Sequence, residues 1–343
     1  MSDKLSEKSS DVGGRGKVVA TTAEHGNQAA PGPGTVPAPA GRPLKPNRRR
    51  GRRDNWAALA WLAPALVLII GVVLYPVVEL VKASAGRYSI TGLRRGSAGW
   101  DNYAHVLSHP TLSTVVINTV VWVAAVVVLT LLSGLALAQL LSKEFFGRKV
   151  VRWAVIVPWA ASLVITARLF TLIYDYYHGV LNRLLQWLHL INTPIDFLGD
   201  DRWTMTAMVA VGVFVSVPFT AYVLLAGLAG IPDDVYEAAR IDGANRWQTY
   251  RHVTLPLLRP AILVASVLNI IYVFNSFPIV YTLNDRNPGF IHDTSITFMY
   301  KLAFKSAERD VGMSAAAGVF NVLVILIVVL VYLRVVRWKE NKP

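Results

Sequence analysis

The chain has 343 residues, of which 54% are hydrophobic and 16% charged, against roughly 25% charged in a soluble domain, and this balance excludes an ordinary soluble globule and points to lipid. The absence of cysteine excludes disulfides, thiolate metal sites and a cysteine nucleophile. A formal net charge of +13 gathers in the first 55 residues and beside the apolar runs, where it reports membrane topology rather than nucleic-acid binding.

Residues 1–53 are rich in Gly, Pro, Ala, Ser, Lys and Arg and nearly lack large apolar side chains. Burial cannot offset the entropy of ordering such a segment, so a disordered, basic cytoplasmic tail is predicted. It ends in Arg48-Arg49-Arg50-Gly51-Arg52-Arg53, a polybasic run suited to an anionic inner leaflet. Gly13-Gly14-Arg15-Gly16-Lys17-Val18 falls short of a P-loop: the leading glycine is missing, and Val18 stands where a hydroxyl must hold Mg²⁺.

Six apolar segments follow, near 56–81, 113–141, 151–175, 204–230, 260–284 and 312–333. Each has the ~20 residues that cross about 30 Å of hydrocarbon. Ala83-Ser84-Ala85 resembles a signal cleavage site, yet the first apolar stretch is too long for a signal core of about 7–15 residues. With the tail cytoplasmic, the inside connections (1–55, 142–152, 231–259, 334–343) hold 23 Lys and Arg, and the outside ones (84–110, 177–203, 285–311) hold 9. Without the tail the balance is 12 to 9, in shorter inside segments. The expectation is an all-α, multi-pass bundle of six transmembrane helices over residues 54–338, both termini cytoplasmic, with a short tail 339–343.

Charged groups near the spans have ordinary readings. Glu79 and Lys82 are spaced as a helix-surface pair. Arg168 needs a structural partner or a vestibule position, and Asp175 lies two turns further outward. His105 and His109 have the spacing of two metal ligands, but no carboxylate or thiol completes a site, so both are expected to be solvated.

The cytoplasmic connection 231–259 is more informative. Pro232 suits a first helical position, Asp233 and Asp234 complement the helix dipole, and Glu237-Ala238-Ala239-Arg240 favour helix. Gly243 offers a left-handed cap; a second helix runs from about Ala244 to Val253, and Pro256 breaks it before the fifth span. The small residues Ala238 and Ala239 beside Glu237 suit a protein docking surface, and an interfacial amphipathic helix fits equally well.

Tyr236-Glu237-Ala238-Ala239, Asp242-Gly243-Ala244, Tyr250 and Leu255-Pro256 together resemble the EAA loop of binding-protein-dependent ABC importer permeases. The likeness extends over residues 56–338. It includes Trp100-Asp101-Asn102-Tyr103 after the first span, Asn118-Thr119 in the second, and Arg152 with Pro158-Trp159 around the third. Ala226-Gly227-Leu228 and Ile231-Pro232 lead into the loop; Phe274-Asn275-Ser276-Phe277, Tyr300, Ala303-Phe304, Gly312 and Ser314-Ala315-Ala316 are similar to the MalF-type, six-helix permeases of sugar systems. The Thr-x-Gly-Gly-Pro that often follows the fifth span is replaced by Thr282-Leu283-Asn284-Asp285, continuing to Asn287-Pro288-Gly289. The extra N-terminal spans and outer domain of the maltose permease are not seen.

The resemblance implies the type I importer permease fold and partners for it: a second homologous permease, two ATP-binding subunits, an extracytoplasmic sugar-binding protein and membrane lipid. It assigns Glu237 as the main polar contact to the ATPase, Ala238 and Ala239 as the close-packing face, and Asp242, Gly243, Ala244 and Pro256 as the rest of the coupling elbow. ATP and Mg²⁺ would sit on the partner ATPase, so the chain is a transport subunit with no catalytic residue, cofactor or metal of its own.

A substrate path needs polar groups and helix breaks that lone apolar helices avoid. Asn269, Tyr272, Asn275, Ser276 and Tyr281 on the fifth span, kinked by Pro278, and Ser216, Thr220 and Tyr222 beside Pro218 on the fourth are the candidates, with Asn275 first. Amides and rings suit a di- or oligosaccharide, and interhelical hydrogen bonding accounts for the same residues. Glycerol 3-phosphate would call for basic residues in the path, for which Arg168 alone is available. A secondary transporter would show internal repeats and paired intramembrane carboxylates, and an enzyme a convergent nucleophile, base or metal cluster; neither pattern is found.

Overall fold

The computed structural model describes residues 61–285, 289–305 and 309–340, without the side chains of Pro158 and 336–340. The chain divides into Met1–Trp61 and Leu62–Pro343, and the architecture below belongs to the second unit. The predicted tail 1–53, the start of the first span, Asn287-Pro288 and residues 341–343 lie outside the described residues.

Helices make up nearly all of the described structure. Five are long and apolar enough to cross a membrane: α1 (Trp61–Ser84), α3 (Leu112–Ser142), α7 (Asp201–Ala229), α9 (Arg246–Phe274) and α12, whose apolar part is Val311–Val335. Their exposed surface is largely Leu, Val and Ile, as lipid contact requires.

Between α1 and α3, where a purely helical chain was expected, stands an antiparallel hairpin, β1 (Gly86–Tyr88) with β2 (Arg94–Ser97). The following α2 (Asp101–Leu107) clasps it. Buried Asn102 Nδ2 donates to Ser84 O at 2.8 Å and Gly86 O at 2.9 Å, and the Tyr103 hydroxyl lies 2.6 Å from Ser84 Oγ. Ser84, in the stretch that resembles a cleavage site, thus closes α1 as a buried residue.

The third apolar segment is two helices rather than one. α4 (Arg148–Trp159) stops, Ser162 takes extended backbone, and α5 (Leu163–Ile173) begins. Each piece, at about 1.5 Å per residue, is too short to cross the hydrocarbon alone. Hydropathy averaged over 151–175 hides such a break, because it senses composition and not ψ. Asp175 Oδ1 accepts the amides of Tyr177 and His178, forming the turn toward α6 (Val180–Trp187), while Arg168 is exposed.

Two prolines sit in helices by the same device. A π turn at Ile69–Leu74 precedes Pro76, and another at Tyr250–Thr254 precedes Pro256. The Tyr75 and Leu255 amides reach back five residues, to Ile70 O and Tyr250 O. Proline lacks an amide hydrogen and crowds the carbonyl four residues earlier; the wider turn makes room. Pro256 therefore does not break the helix, contrary to the expectation, and α9 runs unbroken from Arg246 to Phe274.

The break comes later. α9 ends at Phe274, Asn275 and Ser276 turn, and α10 (Phe277–Leu283) starts with Pro278 in its first turn. Pro278 was expected to kink one continuous span. Instead its ring, four residues after Phe274, ends the helix. Beyond α10, buried Asp293 accepts from Asn284 and Thr297 and pairs with Lys301 at 2.8 Å, while His292 Nε2 lies 2.9 Å from Asp201 Oδ1. These contacts fasten α11 (Ser295–Phe304) to the end of the bundle where α7 begins. His109, expected to be solvated, is half buried against Phe290 and Phe298; His105 is exposed, and no metal-ligand cluster occurs among the described residues.

The core is built on close helix pairs. α3 and α7 enclose Trp122, Val126, Met208, Val211 and Val215; α12 packs against α1, α2 and α11 around Val106, Phe298 and Ala316. A Cβ on Gly312 would lie 2.3 Å from Gly86 O and 2.5 Å from Asn102 Nδ2. Gly312→Ala is expected to cost about 1–3 kcal/mol through overpacking, seen as a lower melting temperature in detergent. Gly71→Ala, with nothing within 4 Å of the added methyl, should leave it unchanged or higher.

Candidate functional site

Two regions of the bundle carry the residues that the sequence singled out. The first is the elbow between α7 and α9. α8 (Asp233–Ile241) begins after Pro232, whose extended backbone makes it the cap rather than the first helical residue, and has Asp233 and Asp234 in its first turn and Arg240 in its last. Gly243 has φ +76, and the amides of Gly243 and Ala244 donate to Arg240 O and Ala239 O, each at 3.0 Å. That is a Schellman stop, the left-handed cap expected at this glycine. Asn245 then opens α9 with a reciprocal box: Gln248 N–H donates to Asn245 Oδ1, and Asn245 N–H to Gln248 Oε1, both at 2.9 Å. Two adjacent caps fix the angle of the elbow in six residues.

The exposed surface of the elbow differs from the expected one. Glu237 and Ala238 face outward, and Glu237 has no partner among the described residues; Ala239 is only 8% exposed and packs inward. Successive helical residues differ by about 100°, so adjacent Ala238 and Ala239 do not share one face. The missing apolar surface comes from Ile241, 86% exposed, and Trp247, 65% exposed, with Tyr250 5.9 Å from Trp247. An isolated Ile beside the cap and a Trp in a polar helix start were the sequence signal for it.

The second region is a cavity of about 370 Å³ among α4, α7 and α9. Trp159, Phe219 and Tyr272 supply rings, Leu268 and Ile271 apolar wall, and Ser216 and Asn269 polar atoms. Of the expected path residues, Ser216, Asn269 and Tyr272 meet here. Thr220 backs them: its hydroxyl donates to Ser216 O at 3.0 Å and accepts from Asn269 Nδ2 at 2.7 Å, so part of the Asn269 amide is spent on an interhelical bond. Trp159 ends α4 at the helix break; its ring and that of Phe219 were not recognised as cavity wall, although an aromatic beside Pro158 at a helix stop is a usable signal.

The remaining candidates lie elsewhere. Asn275 is exposed at the end of α9, its Nδ2 donating to Ile271 O at 2.8 Å, and is not among the cavity's lining residues. Ser276 Oγ and the Tyr222 hydroxyl are buried without a hydrogen-bond partner. Tyr281 stacks on Phe277 at 5.0 Å and meets Tyr300, which touches exposed Phe304. These rings form an aromatic cluster on α10 and α11, separate from the cavity.

Comparison with known proteins agrees with the fold. The fold matches the crystal structure of a bacterial ABC transporter involved in import of the acidic polysaccharide alginate, with TM-score 0.73, 24% identity and coverage of 86% of this chain and 99% of that one. A probable ABC transporter permease of Brucella suis is 35% identical over 280 residues, 82% of this chain and 96% of its own length. The trehalose/maltose transport system permease protein MalF of Thermococcus litoralis is 33% identical over 281 residues (82% and 93%), and the diacetylchitobiose uptake system permease protein DasB of Streptomyces coelicolor is 31% identical over 301 (85% and 89%). The molecule is thus a multi-pass membrane permease. It belongs to the family of binding-protein-dependent transport system inner membrane components, whose pattern matches residues 130–341.

The double cap gives a local test. Asn245→Ala removes one box and should cost about 1 kcal/mol, read as roughly fivefold faster amide exchange at Gln248 with the exchange of α3 unchanged.

Proposed function

We propose that the chain is one permease subunit of an ATP-driven importer that moves a di- or oligosaccharide across the cytoplasmic membrane. The observation that carries this reading is the capped elbow at 237–247, which offers an unpaired carboxylate and two exposed apolar side chains on a rigid frame. In this reading the membrane domain spans 54–338, α4 and α5 together form a third crossing, six crossings are complete, and both termini are cytoplasmic.

The elbow then seats on one of two ATP-binding subunits, which hold ATP and Mg²⁺. A second homologous permease completes the path, and an extracytoplasmic sugar-binding protein delivers the cargo. Nucleotide-driven closure of the ATPase pair moves α8, and α9 transmits the motion without a joint from Arg246 to Phe274. The population of inward-open and outward-open packings shifts accordingly. Glu237 makes the polar contact and Ala238, Ile241 and Trp247 the apolar one, with Asp242, Gly243, Ala244 and Pro256 holding the elbow.

For the cargo, the cavity favours a neutral sugar. Rings at Trp159, Phe219 and Tyr272 suit the apolar face of a pyranose, and Ser216 and Asn269 suit its hydroxyls. No charged residue lines it, and Arg168 is not part of its wall, which speaks against glycerol 3-phosphate. Two relatives' names point the same way, trehalose/maltose and diacetylchitobiose. Asn275, Ser276, Tyr222 and Tyr281 then border the path outside the cavity.

Two substitutions test the parts separately. Glu237→Lys should abolish ATP-dependent uptake while the chain still reaches the membrane at the normal level; wild-type uptake by this variant would refute the docking role. Trp159→Ala should lower uptake about tenfold at limiting sugar through lost stacking of about 1.4 kcal/mol, with ATP hydrolysis by the assembled complex retained. Unchanged uptake would remove the cavity from the path.

A further inference from the structure

A larger cleft, about 1190 Å³, opens at the elbow end of the bundle, between the last turns of α3 and α7, the start of α4, and α8 and α9. Its wall carries Lys143, Arg148, Arg152, Arg240 and Arg246, with Asp233 as the single acidic lining residue. None of the five cations forms an ion pair among the described residues. The Nε atoms of Arg148 and Arg152 are buried and have no hydrogen-bond acceptor. Buried guanidinium donors without an acceptor are costly, and five converging positive charges repel one another. The cleft is built for an anion.

We infer that this cleft binds the headgroup of an anionic phospholipid, with the phosphate between Arg148 and Arg152 of α4 and Arg240 of α8. The position selects lipid over an acidic protein segment. Arg148 and Arg152 open a helix that becomes wholly apolar one turn later, and Leu225, Leu228 and Ala229 give the cleft an apolar wall for acyl chains. Phe146 and Trp153, close to Arg148 and Arg152 in the chain, stand exposed, as aromatic anchors do at the level of headgroups. Basic pockets between membrane helices on the cytoplasmic side have this chemistry. A headgroup bound here bridges α8 to the membrane helices. The inference rests on the proposed orientation, which turns this end toward the inner leaflet.

The test is lipid retention by the purified full chain. Delipidated protein is titrated with phosphatidylglycerol and, separately, with phosphatidylcholine of the same acyl chains, and bound lipid is counted by native mass spectrometry. Phosphatidylglycerol should bind selectively. Each basic residue removed should weaken it roughly fivefold, so Arg148→Gln with Arg152→Gln should bind at least tenfold more weakly and phosphatidylcholine should be unaffected. Arg246→Gln, an exposed position at the mouth, repeats the test with little risk to folding. Equal retention of the two lipids, as expected if an acidic partner segment fills the cleft, would overturn the inference, as would wild-type selectivity in both variants. Uptake by the same preparations is read separately: its absence counts against the permease reading and leaves the lipid result standing.

Discussion

The structure depends on the close approach of α3 and α7. Lipid provides no hydrophobic drive between helices, so their association rests on dispersion, small residues and interhelical hydrogen bonds. Gly212 lets Trp122 and Val126 of α3 lie against the α7 backbone, where an added Cβ would be 2.7 Å from the Trp122 ring and 2.9 Å from Val126 Cγ2. Gly134 does the same from the other side, against Thr220. Trp122, 1% exposed, then sends its indole N–H to Val273 O at 2.9 Å. That carbonyl sits where α9 ends, so the tight pair fixes the place of the break.

Both regions of interest follow from that arrangement. A helix end inside a membrane leaves amides and carbonyls that need internal partners. Here Trp122, the Asn275 side chain and the turn at Ser276 supply them, and the neighbouring stop at Trp159 leaves the space that becomes the small cavity. Thr220, held against Gly134, positions Asn269 at the edge of that space. At the other end of α9, the π turn lets Pro256 pass without a joint, making one lever from elbow to cavity. The lever is stiff because its two ends are capped and its middle is packed against α3 and α7.

The sequence was most legible where structure is set locally. Gly243, Asp233 and Asp234 announced the elbow because a left-handed cap and a helix dipole are decided within a few residues, and the Glu79 to Lys82 pair forms at 2.9 Å for the same reason. Five long helices followed from hydropathy. What escaped depends on neighbours distant in the chain. The split of α4 from α5 leaves no trace in composition; the hairpin at 86–97 is held by Asn102 and Gly312; His109 is covered by Phe290 and Phe298 from a later segment. The family spacing located the elbow but not its face, since Ala239 turns inward and Ile241 and Trp247 take its place. Among the path candidates, residue type alone did not separate Asn269, which reaches the cavity, from Asn275, which does not.

The most direct measurement of the central claim is uptake by defined proteoliposomes. The chain is purified with the subunits that accompany it, reconstituted, and given the sugar-loaded binding protein outside and ATP on the elbow side. The account predicts accumulation of sugar that requires ATP, the binding protein and the accompanying ATPase together. Uptake by the chain alone, driven by an ion gradient and indifferent to ATP, would contradict it.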